Sequence, residues 1–280
     1  MNSIIAYSHI PKAGGTTLTY LLRRHFGGKH LDVIHRCPKD AMERIYRKRD
    51  LDLDATLLGR PRSLAGHWLR PYVDFGEWGE SLRWYTIMRK PKARSFSQYV
   101  QDLDHGYVPQ GTCFKDWMRI PARGLRNQNA QVKQICGKED AESAKEILRK
   151  SFSFVGIMED YDMTIRLLKK ILVPGICLSF SRPLNQRKSE NRLSVEMDRQ
   201  PDLDMYLMEH NTEDILLYDF VVDELYPKFK AGEESPRDIP ENSPTLEPMV
   251  QRYNLWVNFF KRNLFYKTVV RIDRGLSPNK

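Results

Sequence analysis

Residues 4–24 read IIAYSHIPKAGGTTLTYLLRR, and this segment decides the fold of the chain. The apolar run Ile4–Tyr7 predicts a buried strand, which Pro11 ends. After the two glycines, apolar residues recur at steps of three and four, which is the spacing of an amphipathic helix. The helix opens at Thr16 and Thr17, and its apolar face is Leu18, Leu21, Leu22 and Phe26. A strand, a glycine turn and a helix are therefore expected in succession.

The turn after this strand has the composition of an anion-binding site. The first amides of a helix have no partner within it, and the helix dipole is positive at that end. Gly14 and Gly15 let the backbone approach a ligand, Lys12 adds a full charge, and Thr16 and Thr17 add hydroxyl donors. The usual P-loop differs, because its lysine follows the glycines and directly precedes the hydroxyl residue. We predict a phosphate or sulfate site; the alternative is an ordinary strand-to-helix turn.

The run from His9 to Leu18 resembles the 5′-phosphosulfate loop of the sulfotransferases, and most closely their carbohydrate and bacterial branch with its His-x-Pro-Lys opening. The resemblance extends more loosely from Ile4 to Phe229. It implies a P-loop-like α/β fold, with a mostly parallel sheet flanked by helices. It also implies 3′-phosphoadenosine 5′-phosphosulfate (PAPS) as sulfuryl donor and 3′-phosphoadenosine 5′-phosphate (PAP) as product. The donor-binding residues that it implies in this loop are Lys12, Ala13, Gly14, Gly15, Thr16 and Thr17.

A second anion site is expected at Arg89 and Ser97. Sulfotransferases hold the 3′-phosphate of PAPS with an arginine and, eight positions later, a serine, and the spacing here matches. An arginine offers a charged, bidentate fork and a serine a neutral donor. The alternative is a surface arginine followed by an unrelated serine. The family often has Arg-Asp-Pro where this chain has Arg89-Lys90-Pro91, so we expect the capping role of that acid to be lost.

His67 is the candidate catalytic base. It stands in the run Ala65-Gly66-His67-Trp68, and related carbohydrate sulfotransferases place a Gly-His pair between the two nucleotide motifs. In that family the histidine takes the proton of the acceptor hydroxyl, which suits an imidazole that is neutral at pH 7. Lys12 and the loop amides would stabilise charge on the departing 5′-phosphate, and no metal is expected. The alternatives are a histidine that only packs beside Trp68, and His9 as the base.

Other segments are expected to complete the site. The family has a basic loop after its last sheet strand, and here Arg187 and Lys188 are expected to close over the nucleotide, unless that loop is only solvated. A family Asn/Gln segment near the acceptor is matched by Asn127, Gln128 and Gln131. Acceptor recognition is assigned to aromatic residues, which stack on sugar rings, and to arginines, which suit acidic sugars. These are Trp68, Arg70, Tyr72, Trp78, Trp117, Arg119 and Arg123.

Composition limits the class of partner. The chain has 280 residues and a net charge of +9, with 29% charged residues, which indicates a globular protein that binds anions. Its four cysteines are far apart and form no C-x-x-C pair, which favours reduced thiols over zinc or redox chemistry. No segment has the roughly 18 apolar residues of a membrane span, and no secretory signal is recognised. We expect a cytoplasmic enzyme that modifies a glycan or glycolipid hydroxyl, with no nucleic-acid partner.

Alternation of strands and helices predicts one main domain at residues 1–229. Strands or strand ends are predicted at Leu31–Ile34, Ala55–Leu58, Ser63–Ala65, Leu82–Met88, Phe152–Met158 and Ile176–Phe180. Helices are predicted at 38–50, after Pro91, at 141–149, at 161–172, and from Asn211 or Thr212 to Tyr226. Residues 105–128 are predicted to form a loop, and residues 230–246 a linker.

The tail at residues 247–280 has the pattern of an amphipathic helix from Met249 to Ile272, with arginines and lysines between its aromatic residues. The pattern favours packing, either on the domain or on a second subunit as a homodimer contact through residues 247–272. The alternative is peripheral attachment to the inner face of an anionic membrane.

Two other functions also remain open. One is an ATP-dependent phosphotransferase with an atypical P-loop, for which magnesium dependence would be diagnostic. The other is a non-enzymatic basic module that binds nucleic acid or membrane through its charge, in a manner that salt abolishes.

Overall fold

A five-stranded sheet, in which all neighbouring strands are parallel, forms the centre of the fold. The computed structural model describes residues 3–34, 44–178, 201–232, 247–266 and 268. The strands are β1 (Ile4–Ser8), β2 (His30–Asp32), β3 (Ser63–Gly66), β4 (Leu82–Met88) and β5 (Phe152–Ile157), in the order β2-β3-β1-β4-β5. The first strand is thus central, and all its residues are buried.

Helices cover the sheet, as a parallel sheet with apolar strands requires. They are α1 (Gly15–Phe26), α2 (Lys48–Leu58), α3 (Pro91–Asp104), α4 (Phe114–Arg119), α5 (Ala130–Cys136), α6 (Ala141–Ser151), α7 (Tyr161–Ile171), α8 (Pro201–His210), α9 (Thr212–Phe220), α10 (Tyr226–Ala231) and α11 (Pro248–Phe260). Turns of π-helix follow at Pro121–Leu125, Val221–Leu225 and Lys261–Tyr266. No helix in the described part of the chain combines the length and apolarity needed to cross a membrane.

The first α-helix forms as its sequence pattern predicts. Leu18, Leu21 and Leu22 are almost completely buried against the sheet. The general prediction of an α/β fold with a mostly parallel, helix-flanked sheet is confirmed. The predicted strand Leu82–Met88 has the observed bounds of β4.

Three segment predictions were wrong. Ala55–Leu58 is not a strand end but the last turn of α2, which begins at Lys48. The start of α2 is capped by the Asp50 carboxylate, which accepts a hydrogen bond from the Arg47 amide (2.9 Å). The helix predicted at 38–50 overlaps α2 only at residues 48–50, because residues 44–47 are not helical. Residues 35–43 lie outside the described ranges. Residues 176–178 do not form a strand, and 179–180 also lie outside those ranges.

The predicted loop 105–128 is also partly helical. It contains α4 and a π-helical turn because its apolar side chains enter a second core cluster beside α3. The buried residues that α4 adds are Phe114, Trp117 and Met118. The predicted linker begins later than expected, since α10 continues to Ala231; residues 233–246 lie outside the described ranges.

The tail helix α11 packs on the end of α1 through polar side chains. Asn254 Nδ2 donates to the carbonyl oxygens of Arg24 and His25, at 3.1 Å each. Asn258 Nδ2 donates to the carbonyl oxygen of Gly27 (3.2 Å). These carbonyls belong to the last turn of α1 and the residue after it, where the helix has no further backbone N–H groups to donate to them. The tail therefore supplies the C-terminal cap of the first helix.

Candidate functional site

Three predicted site segments meet at the carboxyl edge of the sheet. β1 lies between β3 and β4, and the loops that follow these strands carry Lys12, His67 and Arg89. The register pairs Ser8 with Gly66, so the segments after β1 and β3 leave the sheet side by side. Ligands of open α/β sheets bind at this edge, outside the carboxyl ends of the strands.

The loop between β1 and α1 has two residues in the left-handed backbone region. Gly14 has φ +78° and Lys12 has φ +69°. A positive φ is uncommon in a residue other than glycine and is retained where the surrounding structure determines the backbone. Side chains would also be obstructed at both glycines, since a Cβ would lie 2.6 Å from Met158 Sδ at Gly14 and 1.8 Å from His9 Nε2 at Gly15.

The side chain of Lys12 reaches helix α3. Its Nζ donates to Gln101 Oε1 (2.8 Å), and Arg89 Nη1 donates to the Lys12 carbonyl oxygen (3.2 Å). Ser97 stands four positions before Gln101, so both lie on one face of α3. The structure thus brings Lys12, Arg89 and Ser97 into one region, although they lie in three separate segments of the sequence.

The other loop residues divide into exposed and buried positions. Thr16 is exposed in the first turn of α1. Thr17 is buried and lies near Tyr161. Ala13 is fully buried, so its contribution to a ligand would come from its backbone. Arg187 and Lys188, expected to close over the nucleotide, lie outside the described residues.

The backbone of Arg89 is clamped by the buried amide of Gln131. Gln131 Oε1 accepts from the Arg89 amide (3.0 Å), and its Nε2 donates to the Arg89 carbonyl oxygen (2.8 Å). The neighbouring Lys90 amide donates to Glu159 Oε1 (2.7 Å). An acid therefore still serves the start of α3, although it comes from the segment after β5 and not from position 90.

A buried arginine adds positive charge beside this region. Arg94 is fully buried on α3, three positions before Ser97, and its Nη2 donates to the Asn127 carbonyl oxygen (2.6 Å). Its Nε and Nη1 have no hydrogen-bond partner among the described residues. Burial lowers the pKa of Arg94, and the nearby carboxylate of Asp214 opposes that change. The donor groups around Lys12, Arg89 and Ser97 fit a phosphorylated ligand.

His67 is attached to the loop of Lys12. Its Nδ1 lies 2.9 Å from the His9 carbonyl oxygen. A carbonyl oxygen only accepts, so we assign the proton to Nδ1 and the free lone pair to Nε2. Burial lowers the pKa of His67, and the positive charges of Arg70 and Lys12 lower it further, while the bond to His9 opposes them. His67 is therefore a neutral imidazole at pH 7.

Four aromatic rings form a column that ends at His67. Tyr85 stacks on Tyr7 with ring centroids 4.8 Å apart, Tyr7 stacks on His9 at 5.1 Å, and His9 lies 4.0 Å from His67. The column starts with cross-strand partners, because Tyr7 pairs with Tyr85 in the sheet. Burial lowers the pKa of His9 well below its ordinary value, with the His67 ring as the next cause. His9 thus stands between other rings as a neutral support for His67.

The residues expected to recognise an acceptor are distributed over different parts of the molecule. Arg70 is close to His67 and donates from Nη1 to Gln134 Oε1. Trp117 is fully buried in the second core cluster, where its Nε1 donates to Asp102 (2.9 Å). Its predicted role in stacking on a sugar is therefore wrong. Trp78 is bound to Asp52 (2.7 Å) on the α2 side of the molecule.

Three more of the residues expected to recognise an acceptor are packed against other parts of the protein: Arg119, Arg123 and Tyr72. Arg119 and Arg123 lie over the rings of Tyr206 and Tyr107. Tyr72 packs against Gly137. Trp68, beside His67, is partly buried against the main core. Of the proposed acceptor residues, Trp68 and Arg70 are thus the two that lie next to His67.

Several residues of the site were missed by the sequence analysis. Gln101 could have been noticed because it lies one helical turn after Ser97. No local pattern indicates the roles of Glu159 and Arg94. Glu159 accepts from the amide of Lys90, and Arg94 donates to the carbonyl oxygen of Asn127, and both partners are backbone groups remote in the sequence. Gln131 was noticed, but as a residue near the acceptor; the structure shows that it holds Arg89.

Comparison with protein-family models found no match to this chain. A search of curated protein sequences found no significant match either. The structure itself therefore defines the class of this protein: an α/β protein with a parallel five-stranded sheet and a group of polar side chains at the carboxyl edge of that sheet.

Proposed function

We propose that this chain is a PAPS-dependent sulfotransferase with a P-loop-like sulfotransferase fold, and that it moves a sulfuryl group to the hydroxyl of a glycan or glycolipid. The observation that carries the proposal is the hydrogen bond between His67 Nδ1 and the His9 carbonyl oxygen. It joins the proposed base to the anion loop and leaves Nε2 as the proton acceptor.

The loop after β1 and the start of α3 would hold the donor at two places. Lys12, Thr16 and the amides of Gly14 to Thr17 would bind the 5′-phosphosulfate at the N-terminus of α1. Arg89 and Ser97 would bind the 3′-phosphate, with Gln131 fixing the backbone of Arg89. The bound donor supplies an electrophilic sulfur and a phosphate leaving group.

His67 would act as general base. Its Nε2 takes the proton of the acceptor hydroxyl as the oxygen forms a bond to sulfur and the bond between sulfur and the 5′-phosphate oxygen breaks. Lys12 and the loop amides stabilise the negative charge that develops on the departing phosphate. Trp68 and Arg70, beside His67, would contact the acceptor. Arg187 and Lys188 are proposed to close over the nucleotide, and the cytoplasm is the proposed location.

Calorimetric titration with PAP tests the donor assignment. Wild-type protein should bind PAP without added metal and more tightly than ATP with Mg²⁺, and Arg89→Ala should lose most of this affinity. Arg149→Ala is the matched control, because Arg149 is half-exposed on α6 and pairs with Glu224. Preference for ATP with Mg²⁺ would replace the sulfotransferase by a phosphotransferase. Binding of neither, or binding that Arg89→Ala leaves unchanged, would contradict the proposal.

A further inference from the structure

Helix α11 carries its apolar face outward. The residues of α11 that are almost completely buried are polar, namely Gln251 and Asn258, and Asn258 bonds to the residue after α1. The opposite face is aromatic: Tyr253, Trp256, Phe259 and Phe260 are 68%, 63%, 59% and 45% exposed. We call these four residues the aromatic stripe. An amphipathic helix of a globular protein normally buries its apolar face in the core.

Three rings of the aromatic stripe, those of Trp256, Phe259 and Phe260, form one continuous patch. The rings of Trp256 and Phe260 are stacked with centroids 5.3 Å apart, and Phe259 meets Phe260 edge-on at 5.8 Å. Met249, at the start of the same helix, is 81% exposed. Contiguous exposed apolar surface of this kind marks a site of interaction. Since amide side chains hold α11 on the domain, the stripe is not needed to attach the helix.

The charges within the tail sequence are of one sign, and two acidic residues of the domain approach it: Arg262 Nη1 lies 4.0 Å from Asp32 Oδ2, and Asp54 opposes the lowering of the pKa of Lys261. From residue 248 to residue 272 the sequence contains no acidic residue, and its basic residues are Arg252, Lys261, Arg262, Lys267 and Arg271. Lys29, near Lys261, contributes to lowering the pKa of Lys261, after the larger effect of burial. A second copy docked stripe to stripe would bring these like charges together. An anionic surface would complement them.

The types of residue also fit a bilayer surface. Tryptophan and tyrosine are enriched where hydrocarbon meets the headgroups. A helix with aromatic residues on one face and arginine or lysine at its sides lies in the plane of that interface. The 13 residues of α11 make a rod of about 20 Å, which suits lying on a membrane.

We propose that α11 docks this protein on an anionic phospholipid bilayer. The aromatic stripe enters the boundary between headgroups and acyl chains, and the exposed Arg252, next to Tyr253 in the helix, contacts lipid phosphates. α11 touches the end of α1 that is opposite to the Lys12 loop. This inference does not depend on the proposed sulfotransferase activity.

Vesicle co-sedimentation of the full chain tests the proposal. The protein should bind vesicles that contain phosphatidylserine in phosphatidylcholine, with much weaker binding to phosphatidylcholine alone and at high salt. The combined change Tyr253→Ser, Trp256→Ser and Phe260→Ser should weaken binding about tenfold or more, because it removes most of the apolar anchor. Met205→Ser with Met208→Ser is the matched control, since both methionines are exposed on α8.

A conservative variant keeps the test decisive if the triple variant folds poorly. Brominated phosphatidylcholine should quench part of the tryptophan fluorescence of vesicle-bound wild-type protein. Trp256→Phe should still bind, and that quenched part should disappear. Binding that survives loss of the stripe, or no binding to anionic vesicles, would overturn the proposal. So would a lipid-free dimer that the triple variant converts to a monomer, because the occupant would then be a second copy.

Discussion

His67 Nδ1 lies 2.9 Å from the carbonyl oxygen of His9, the first residue after the central strand. The proposed base is therefore oriented by the backbone of the loop that is proposed to bind the donor. A shift of this loop would move the base as well, so donor binding and base position are structurally linked.

Replacing His67 should slow catalysis without weakening donor binding. His67→Ala removes the proton acceptor, so we expect turnover to fall by roughly 10²–10⁴. Transfer of labelled sulfate from PAPS to the best acceptor of an unsulfated glycan and glycolipid panel measures the rate, and PAP titration measures affinity. His105→Ala is the control, because His105 is exposed. Weaker PAP binding with normal turnover would assign His67 to the donor site instead.

The pH dependence of the rate should report the lowered pKa of His67. The protonated imidazole cannot accept a proton, and burial lowers the pKa below its ordinary value near 6.5. We expect kcat/KM to be level around neutral pH and to fall on acidification with a midpoint below 6.5. Arg70→Gln removes a positive charge that lowers this pKa, so its midpoint should move upward. A midpoint above 6.5 in the wild type would contradict the assignment.

Two substitutions at Lys12 should separate its backbone from its charge. Lys12 has φ +69°, and a left-handed conformation costs a residue with a Cβ roughly 1–2 kcal/mol. Lys12→Gly should therefore be more stable towards urea than Lys12→Ala by about 1 kcal/mol. Both variants should lose PAP affinity to a similar degree, because both lose the ammonium group. Equal stability of the two variants would mean that the backbone is relaxed at this position.

The buried imidazole of His9 should make the fold sensitive to acid. Its pKa is well below the unfolded value near 6.5, so the unfolded chain gains a proton on acidification before the folded chain does. Stability is thus complete above pH 6.5 and is lost as the pH falls towards the folded pKa. One proton corresponds to at most about 1.4 kcal/mol per pH unit.

Urea unfolding between pH 5 and pH 7.5 measures this effect. In His9→Asn the slope of the unfolding free energy against pH should decrease by up to about 1.4 kcal/mol per pH unit, which corresponds to one proton. The matched variant His105→Asn should keep the wild-type slope, because His105 is exposed. An unchanged slope in His9→Asn would show that His9 titrates normally in the folded protein.

The amides of α11 should contribute to the stability of the whole domain. Asn254→Ala and Asn258→Ala each remove a donor from carbonyl oxygens at the end of α1. We expect each to lower the unfolding free energy by about 0.5–2 kcal/mol. Asn263→Ala should have less effect, because Asn263 Nδ2 donates to Phe259, within the same helical segment. Thermal unfolding of the three variants checks this; three equal losses would argue against a capping role.

Local sequence patterns predicted the elements around the site well. β4 could be bounded because an apolar run ends at Arg89-Lys90-Pro91, and α1 because its leucines recur at helical spacing. Residues 114–119 could not be predicted as a helix, since six residues carry little periodicity and their burial depends on Leu207, which is remote in sequence. Amphipathicity predicted α11, but periodicity cannot say which face of a helix turns inward.

The site, like the helices, could be predicted from the sequence only where a local pattern marks its residues. Motif spacing identified Lys12, Arg89 and His67, which the fold brings to one edge of the sheet. The left-handed backbone of Lys12 and the clamp of Gln131 on Arg89 depend on tertiary contacts, which leave no mark on local sequence.

The cap that α11 places on α1 affects the order in which the molecule can be completed. Its hydrogen bonds join residues that are about 230 positions apart. During synthesis, the last carbonyls of the first helix gain these partners only after Asn254 and Asn258 have left the ribosome. Contacts of such long range form late and slow folding. The nascent protein would therefore expose the end of its first helix, and chaperones or proteases would meet it in that state.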